Sequence, residues 1–205
     1  MAAAVDQGWT WTELRPHVLC GISPGTPMSL VTCLAVYGAV CAELGLPLHF
    51  PGNERAYDIL YQVTDAELFG RGALWAATAA GAANEALHLH NGDPFRWRRV
   101  WPQVAAALGV PVGEPRDFAL KDFMADKAPV WDAIVRRHAL VPHRVDELAE
   151  WNFADYVLRT QWDIVTSMTK ARLAGWHEVC DTGPMFARWF DTLRRQRLMP
   201  PRVLA

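Results

Sequence analysis

Residues 84–101 read Asn-Glu-Ala-Leu-His-Leu-His-Asn-Gly-Asp-Pro-Phe-Arg-Trp-Arg-Arg-Val-Trp and predict a strand, a turn and a helix in succession. Leucines alternate with His88 and His90, which indicates a short strand with both histidines on one face. Asn-Gly-Asp is a turn sequence, and it predicts Asp93 as the N-cap of a helix with Pro94 at its first position. Apolar residues then recur every three or four positions, so we expect an aromatic face to pack inward and an arginine-rich face to meet solvent.

Upstream of this stretch the sequence predicts further strands alternating with helices, the pattern of an α/β fold. The predicted strands are Thr10–Cys20, which Pro16 interrupts, Leu46–Phe50 and Tyr57–Thr64. The predicted helices are Met28–Leu44, which is apolar almost all round, and Ala66–Ala80, which Thr64 and Asp65 cap. Loops at the carboxyl ends of parallel strands line the ligand crevice of such folds, so we expect a cofactor or substrate at loop 21–27.

From Asp117 onwards the pattern is helical, with little convincing strand. The predicted helices there are Leu120–Asp126, Pro129–His138, Val145–Trp151, Phe153–Thr160, Ile164–Leu173 and Pro184–Arg197, the last capped by Asp181 and Thr182. The chain therefore reads as a partial doubly wound α/β sheet followed by a mostly helical region.

Composition excludes several function classes. The 205 residues contain 20 basic and 22 acidic side chains, so the chain lacks the positive charge that nucleic acid or an anionic membrane would attract. The apolar run Met28–Ala42 is too short to span a bilayer. The four cysteines show no C-x-x-C spacing, which favours buried thiols in a reducing cytoplasm over a disulfide framework.

Three local patterns resemble functional motifs but favour a structural interpretation. Residues 70–75 begin like a dinucleotide fingerprint, yet Trp75 replaces the third glycine. His88, His90 and Asp93 lack a clear further ligand, so we expect no metal site. Ser167-Met-Thr-Lys170 has the S-x-x-K spacing without its companion motifs, and we interpret it as a helix surface.

Trp97 and Trp101 lie one helical turn apart near several arginines, a spacing that can stack nucleobases. The net acidity and the amphipathic stripe favour core packing instead. None of the four tyrosines has a lysine four residues later, so no tyrosine and lysine pair is available as a general acid.

Several stretches together resemble the extended short-chain dehydrogenase/reductases of the progesterone 5β-reductase and iridoid synthase type. They are Trp11-Thr-Glu-Leu-Arg-Pro-His17 with Gly21, Pro24-Gly-Thr-Pro-Met28, residues 34–45 and 47–52, Asn91-Gly-Asp-Pro-Phe-Arg-Trp97 with Trp101-Pro102, and Ser167-Met-Thr-Lys-Ala-Arg172 followed by Asp181-Thr182. The resemblance covers nearly the whole chain, from Trp9 to Pro200.

The resemblance implies an NADPH-dependent oxidoreductase that reduces the carbon–carbon double bond of a small apolar enone. It implies a Rossmann-type sheet lacking its first strands over residues 1–115, with substrate-region insertions, and a mostly helical capping region with a terminal helix over residues 116–205. It places Pro16, His17 and Val18 beside the nicotinamide and the segment from Ser23 to Met28 near cofactor and substrate.

The resemblance extends to the carboxyl-terminal part of the family alone. In the family, the glycine-rich phosphate loop and the catalytic tyrosine and lysine precede the Trp-Thr-x-x-Arg-Pro strand, whereas the residues before Trp11 contain none of them. No residue of this chain is therefore assigned a catalytic role. We expect a truncated reductase, inactive alone, poorly soluble and prone to aggregate or form homo-oligomers, or a subunit completed by a separate Rossmann partner. A stand-alone, non-redox binding or cyclase-like protein is the alternative of a different class.

Overall fold

The computed structural model describes residues 8–23 and 25–202 and shows an α/β architecture. The strands are β1 (Thr12–Arg15), β2 (Val18–Cys20), β3 (Leu60–Tyr61), β4 (Val63–Asp65), β5 (Glu85–His88) and β6 (Phe95–Arg96). The helices are α1 (Leu30–Glu43), α2 (Glu54–Asp58), α3 (Ala66–Thr78), α4 (Trp97–Leu108), α5 (Leu120–Met124), α6 (Ala128–Arg137), α7 (Val145–Leu148), α8 (Trp151–Leu158), α9 (Thr169–Leu173) and α10 (Thr182–Arg195). Pro24, part of the predicted loop 21–27, lies outside the described residues, as do residues 1–7 and 203–205.

The sheet consists of short ladders. β1 pairs with β5 in parallel, with Thr12 opposite Glu85, and β2 pairs with β4 in parallel, with Val18 opposite Val63. β3 and β6 form an antiparallel pair. The break between β1 and β2 falls at Pro16, where the sequence predicts an interruption, because proline has no N–H for a ladder.

The strand changes partner at this break. The Thr64 hydroxyl accepts a hydrogen bond from the His17 N–H at 3.0 Å and donates to the Leu89 carbonyl at 3.2 Å. β4 therefore lies between β2 and the continuation of β5, where the two strands diverge. Residues 12–20, here called the β1–β2 segment, have both partners along the same edge.

Helix α1 runs through the core, as its continuous apolar sequence predicts. Residues Leu30 to Cys41 are all buried, and the Ser29 side chain caps the helix by accepting from the Thr32 N–H at 3.4 Å. Gly45, at φ +65°, lets the chain leave the helix. The prediction of a helix buried on more than one face is confirmed.

Helix α3 follows β4 directly, and its predicted cap is confirmed. The Asp65 carboxylate accepts a hydrogen bond from the Leu68 N–H at 3.3 Å. Gly72 packs closely against Leu89, which follows β5, and a Cβ on Gly72 would lie 2.6 Å from Leu89 Cδ1. A Cβ on Gly70 would meet open space. The pattern at residues 70–75 is therefore a packing feature of a helix.

The aromatic helix is confirmed, but its predicted start is wrong. α4 begins at Trp97, because Phe95 stays extended in β6, with its ring 6.1 Å from Tyr61 and 5.0 Å from Trp97. Asp93 does not cap α4. Its carboxylate accepts from the Thr182 N–H at 3.0 Å, in the first turn of α10. The inward aromatic face forms as predicted, with Trp97 and Trp101 fully buried.

Of two further strand predictions, one is wrong and one is confirmed. Leu46–Phe50 is not a strand, since within the described ranges it forms a single bridge, from Leu48 to Val112. The range Tyr57–Thr64 contains strand as predicted, divided into β3 and β4. Tyr57 itself belongs to α2, which the Asn53 side chain caps by accepting from the Ala56 N–H at 2.9 Å.

Among the later helices the predicted Ile164–Leu173 is too long, since α9 begins at Thr169. The Ile164 N–H donates to the Leu60 carbonyl at 2.8 Å, which holds this part extended beside β3. The predicted helix Val145–Trp151 ends at Leu148, and Trp151 starts α8. The other predicted helices are confirmed within a few residues at either end.

One core joins the two regions. α10 packs along α4, and a single cluster of buried apolar residues extends from Cys20 to Met199. Cys20, Cys33 and Cys41 are buried free thiols, as predicted, and burial raises the pKa of Cys33 and Cys41 to about 12. Cys180 is also free but only half-buried. Among the described residues no helix has the length and apolar character needed to cross a membrane.

Candidate functional site

The candidate site lies where β1 and β5 reach their carboxyl ends and β2 begins, and His17 is at its centre. This residue occupies the break between β1 and β2, with Pro16 and Val18 on either side, all half-buried. His17 Nε2 lies 2.8 Å from the Thr166 hydroxyl. Burial lowers the pKa of His17, and the neighbouring His88 acts in the same direction, so the imidazole is neutral at pH 7.

His90 forms the second part of the site, 5.5 Å from His17 between ring centroids. The Gly92 N–H donates to His90 Nδ1 at 3.1 Å, so Nδ1 is the unprotonated nitrogen. His90 Nε2 then carries the hydrogen and donates to the Thr166 carbonyl at 3.2 Å. Burial, with His17 adding to it, lowers the pKa of His90 to about 4. The site therefore presents two neutral imidazoles.

Thr166 connects the histidines to the helical region. Its N–H donates to Gln62 Oε1 at 2.8 Å, which fixes the segment before α9 across the strand ends. Met168 continues this contact, because its sulfur accepts from the His90 N–H at 3.3 Å. Sequence reasoning missed Gln62 and Thr166 as site residues, since Thr166 lies 149 positions from His17.

Ser23 and Met28 lie on the connection from β2 to α1, which forms the exposed rim of the site. The Ser23 hydroxyl donates to the Thr26 hydroxyl at 3.2 Å, and Met28 is 60% exposed. The Ser29 hydroxyl donates to the Gly21 carbonyl at 2.9 Å and ties this rim to the end of β2. Within the described ranges no hydrogen bond joins Ser23 or Met28 to the two histidines.

The structure does not assemble the other candidate motifs. The Ser167 hydroxyl lies 2.8 Å from the Thr169 hydroxyl, while Lys170 forms an ion pair with Glu85 on the neighbouring strand. Asp93 is turned toward α10 and is no ligand beside His88 and His90. Residues 8–23 and 25–202 contain no group of three side chains able to hold a metal ion.

The described residues do not by themselves fit a whole dinucleotide. A pyrophosphate needs free N–H groups at a helix N-terminus. The first turn of α1 is capped by Ser29, and that of α3 carries the Asp65 carboxylate, which would repel a phosphate. Both ring nitrogens of His90 are already hydrogen-bonded within the protein, as is Nε2 of His17, and neutral imidazoles do not supply a proton readily near pH 7.

Comparisons with known proteins agree on one fold. The family model described as "PRISE-like Rossmann-fold domain" matches residues 1–200. The chain is 35% identical over 198 residues to an (S)-8-oxocitronellyl enol synthase of Nepeta cataria, covering 95% of this chain and 50% of that protein. It is 31% identical over 194 residues to a 3-oxo-Delta(4,5)-steroid 5-beta-reductase of Arabidopsis thaliana, covering 93% and 50%.

A solved structure, the terminal R domain from the myxalamid PKS-NRPS biosynthetic pathway, superposes with a TM-score of 0.58 at 14% identity. The match covers 96% of this chain and 47% of that chain, and shows a Rossmann-like fold. The chain thus spans about half the length of the relatives that it matches.

Proposed function

This chain belongs to the PRISE-like Rossmann-fold domain family, and on that premise we propose that it forms the carboxyl-terminal half of an NAD(P)H-dependent reductase site. The relatives named above include a steroid 5-beta-reductase and an enol synthase. We therefore propose a small apolar enone as the substrate of the complete site. Residues 1–115 would form part of a Rossmann domain, and residues 116–205 would cap the substrate.

One observation carries this proposal: the β1–β2 segment has strand partners along one edge only within the described ranges. In a doubly wound sheet an inner strand is paired on both sides. Trp9, Leu19 and Met28, before, within and after this segment, are 54%, 43% and 60% exposed. An unpaired edge beside exposed apolar side chains is typical of a surface that another element covers.

The residues at the strand ends have distinct roles in this proposal. Pro16, His17 and Val18 flank the nicotinamide end of the cofactor, and Ser23 and Met28 border both cofactor and substrate on the rim. The pyrophosphate loop and the proton donor come from the other half of the site, because this sequence contains neither a glycine-rich loop after a strand nor a tyrosine with a lysine four residues later. This chain alone is therefore expected to be inactive.

A complementation experiment tests the proposal. The chain is mixed with the separately produced amino-terminal half of the Nepeta cataria relative, and NADPH binding is followed by cofactor fluorescence. We expect no binding by the chain alone and binding by the mixture. His17→Ala should weaken binding by the mixture, whereas His177→Ala, at an exposed position, should not. Failure of the two halves to associate, or equal binding by both variants, would contradict the proposal.

The second candidate function is a stand-alone, non-redox protein that binds a small ligand or cyclises it. Two features of the same edge favour it: Pro16 interrupts the segment, and exposed Glu13 and Arg15 pair with each other at 2.8 Å. Light scattering separates the two candidates. A stable monodisperse monomer supports the second, and self-association through apolar surface supports the first. A cytoplasmic location with reduced cysteines fits either candidate.

A further inference from the structure

A separate pocket lies beside the carboxyl-terminal half of α1, away from the strand ends. It has a volume of about 600 Å³ and is walled by Tyr37, Cys41, Leu46, Pro47, Phe118 and Phe123. Tyr37 and Cys41 lie two to three helical turns beyond Ser29, roughly 12–18 Å along the helix axis. This pocket is thus distinct from the rim formed by Ser23 and Met28.

The interior of this pocket is apolar and rigidly built. Tyr37 and Cys41 are each 1% exposed, and the Tyr37 hydroxyl donates to the His49 carbonyl at 3.0 Å. The Phe123 ring meets Tyr37 edge-on at 5.7 Å and lies 5.7 Å from Phe118. A volume of this size with aromatic walls is typical of a small-molecule site.

Arg116 supplies the one uncompensated cation at the mouth. Within the described ranges its exposed guanidinium makes no ion pair and no hydrogen bond. Its backbone alone is used: the N–H donates to the Phe50 carbonyl at 2.9 Å, and the carbonyl accepts from the Phe118 N–H at 3.1 Å. Burial raises the pKa of Tyr37, and the charge of Arg116 acts in the opposite direction.

Two acidic residues also line the mouth, but they are shared with a neighbouring cleft. Asp117 and Asp122 lie in the wall between this pocket and a cleft that contains Lys121 and Arg159. Asp117 is paired with Arg159 at 3.1 Å. Arg116 lines the first pocket and not the neighbouring cleft. The His49 side chain also lines the mouth, and its Nδ1 lies 2.7 Å from the Glu114 carbonyl.

We propose that this pocket binds a small amphipathic carboxylate, with a medium-chain or aromatic hydrocarbon body between Tyr37, Cys41 and Phe123 and its carboxylate on Arg116. Apolar walls bury the hydrocarbon part, and a guanidinium binds a carboxylate through two parallel hydrogen bonds. The proposal is independent of the reductase assignment, since none of these residues belongs to the candidate site at the strand ends.

Titration calorimetry with three probes of equal chain length tests the proposal: octanoate, octanol and octylammonium. We expect octanoate to bind at one site per chain and more tightly than either of the others. Arg116→Gln should weaken octanoate binding by roughly tenfold and leave octanol binding unchanged. Arg136→Gln removes an arginine from the surface of α6 and serves as the matched control, with no expected change.

A second variant keeps the test independent of folding defects. Leu46 is 39% exposed at the mouth, so Leu46→Lys is tolerated and should tighten octanoate binding by adding a cation. Equal affinity for octanoate and octanol, tighter binding of octylammonium, or more than one octanoate per chain would each overturn the proposal. Loss of octanoate binding in the Arg136→Gln control would do the same.

Discussion

Asp65 and Trp189, 124 residues apart in sequence, are joined by a 2.9 Å hydrogen bond from the indole Nε1 to a buried carboxylate. The other carboxylate oxygen is 2.8 Å from Arg188 and also caps α3. The Asp65 N–H donates to Asn91 Oδ1 at 2.6 Å. A single residue therefore fixes the end of β4, the start of α3 and the face of α10.

Removing the charge of Asp65 should destabilise the protein strongly. Asp65→Asn leaves Arg188 beside an uncharged amide and weakens the cap, so we expect the free energy of unfolding to fall by about 2–3 kcal/mol. Glu67→Gln is the matched control, because Glu67 holds the same arginine at 2.8 Å but is exposed. It should cost no more than about 0.5 kcal/mol. Urea denaturation of both variants measures the difference, and equal effects would contradict the assignment.

Two glycines of α3 should respond oppositely to the same substitution. Gly72→Ala places a methyl group 2.6 Å from Leu89 Cδ1, so overpacking should destabilise the protein by about 1–3 kcal/mol. Gly70→Ala meets open space and should stabilise it by about 0.5–1 kcal/mol through helix propensity. Thermal unfolding of the two variants checks this. If Gly72→Ala stabilised the protein, α3 would not approach Leu89 as closely as described.

Substitutions of two tryptophans of α4 should also differ in their effect on stability. Trp101 Nε1 donates to the Leu48 carbonyl at 3.0 Å, whereas the buried Trp97 Nε1 has no hydrogen-bond partner among the residues that the structure describes. Trp101→Phe loses volume and a hydrogen bond, while Trp97→Phe loses volume but also removes a costly unpaired N–H. We expect Trp101→Phe to be the more destabilising by about 1–2 kcal/mol. Similar denaturation midpoints for the two would contradict the hydrogen-bond assignment.

His90 should make stability depend on pH. Its pKa in the folded protein is about 4, below the ordinary value of 6.5, so the unfolded chain binds the proton first as the pH falls. The free energy of unfolding should therefore decrease from about pH 6.5 to about pH 4, by roughly 3 kcal/mol, and this contribution should level off below that range.

Replacing the histidine isolates this effect. His90→Gln should flatten the dependence between these pH values, and His177→Gln, at an exposed position, should leave it unchanged. Denaturant titrations at several pH values provide the measurement. If the free energy of unfolding of His90→Gln changes with pH as steeply as that of the unmodified protein, other groups cause the pH dependence.

The features that sequence predicts well here are local. The apolar run of α1, the Asp65 cap of α3 and the Asp181 cap of α10 each depend on residues within a few positions, and all three are confirmed. The predicted N-cap at Asp93 is wrong because its observed partner, Thr182, lies 89 positions away and competes with the local cap. The predicted strand Leu46–Phe50 is wrong because a segment with strand propensity forms a strand only where a neighbouring strand is available to pair with it.

The candidate site shows the same limit. The family resemblance indicates His17 and its neighbours, whereas the alternation around Leu89 places His90 on a strand without assigning it a role. Their meeting through Thr166 and Gln62 depends on segments about one hundred residues or more apart, which no periodicity reveals.

The partner change of the β1–β2 segment also constrains how the chain folds. Trp11 and Asn84, which directly precede the first ladder, are 73 positions apart, and the ladder is parallel, so no tight hairpin can nucleate it. The entropy of closing that long loop must be lost before the hydrogen bonds of this ladder form. Helices α1 and α3, whose contacts are local, are therefore expected to form before the pairing of β1 with β5.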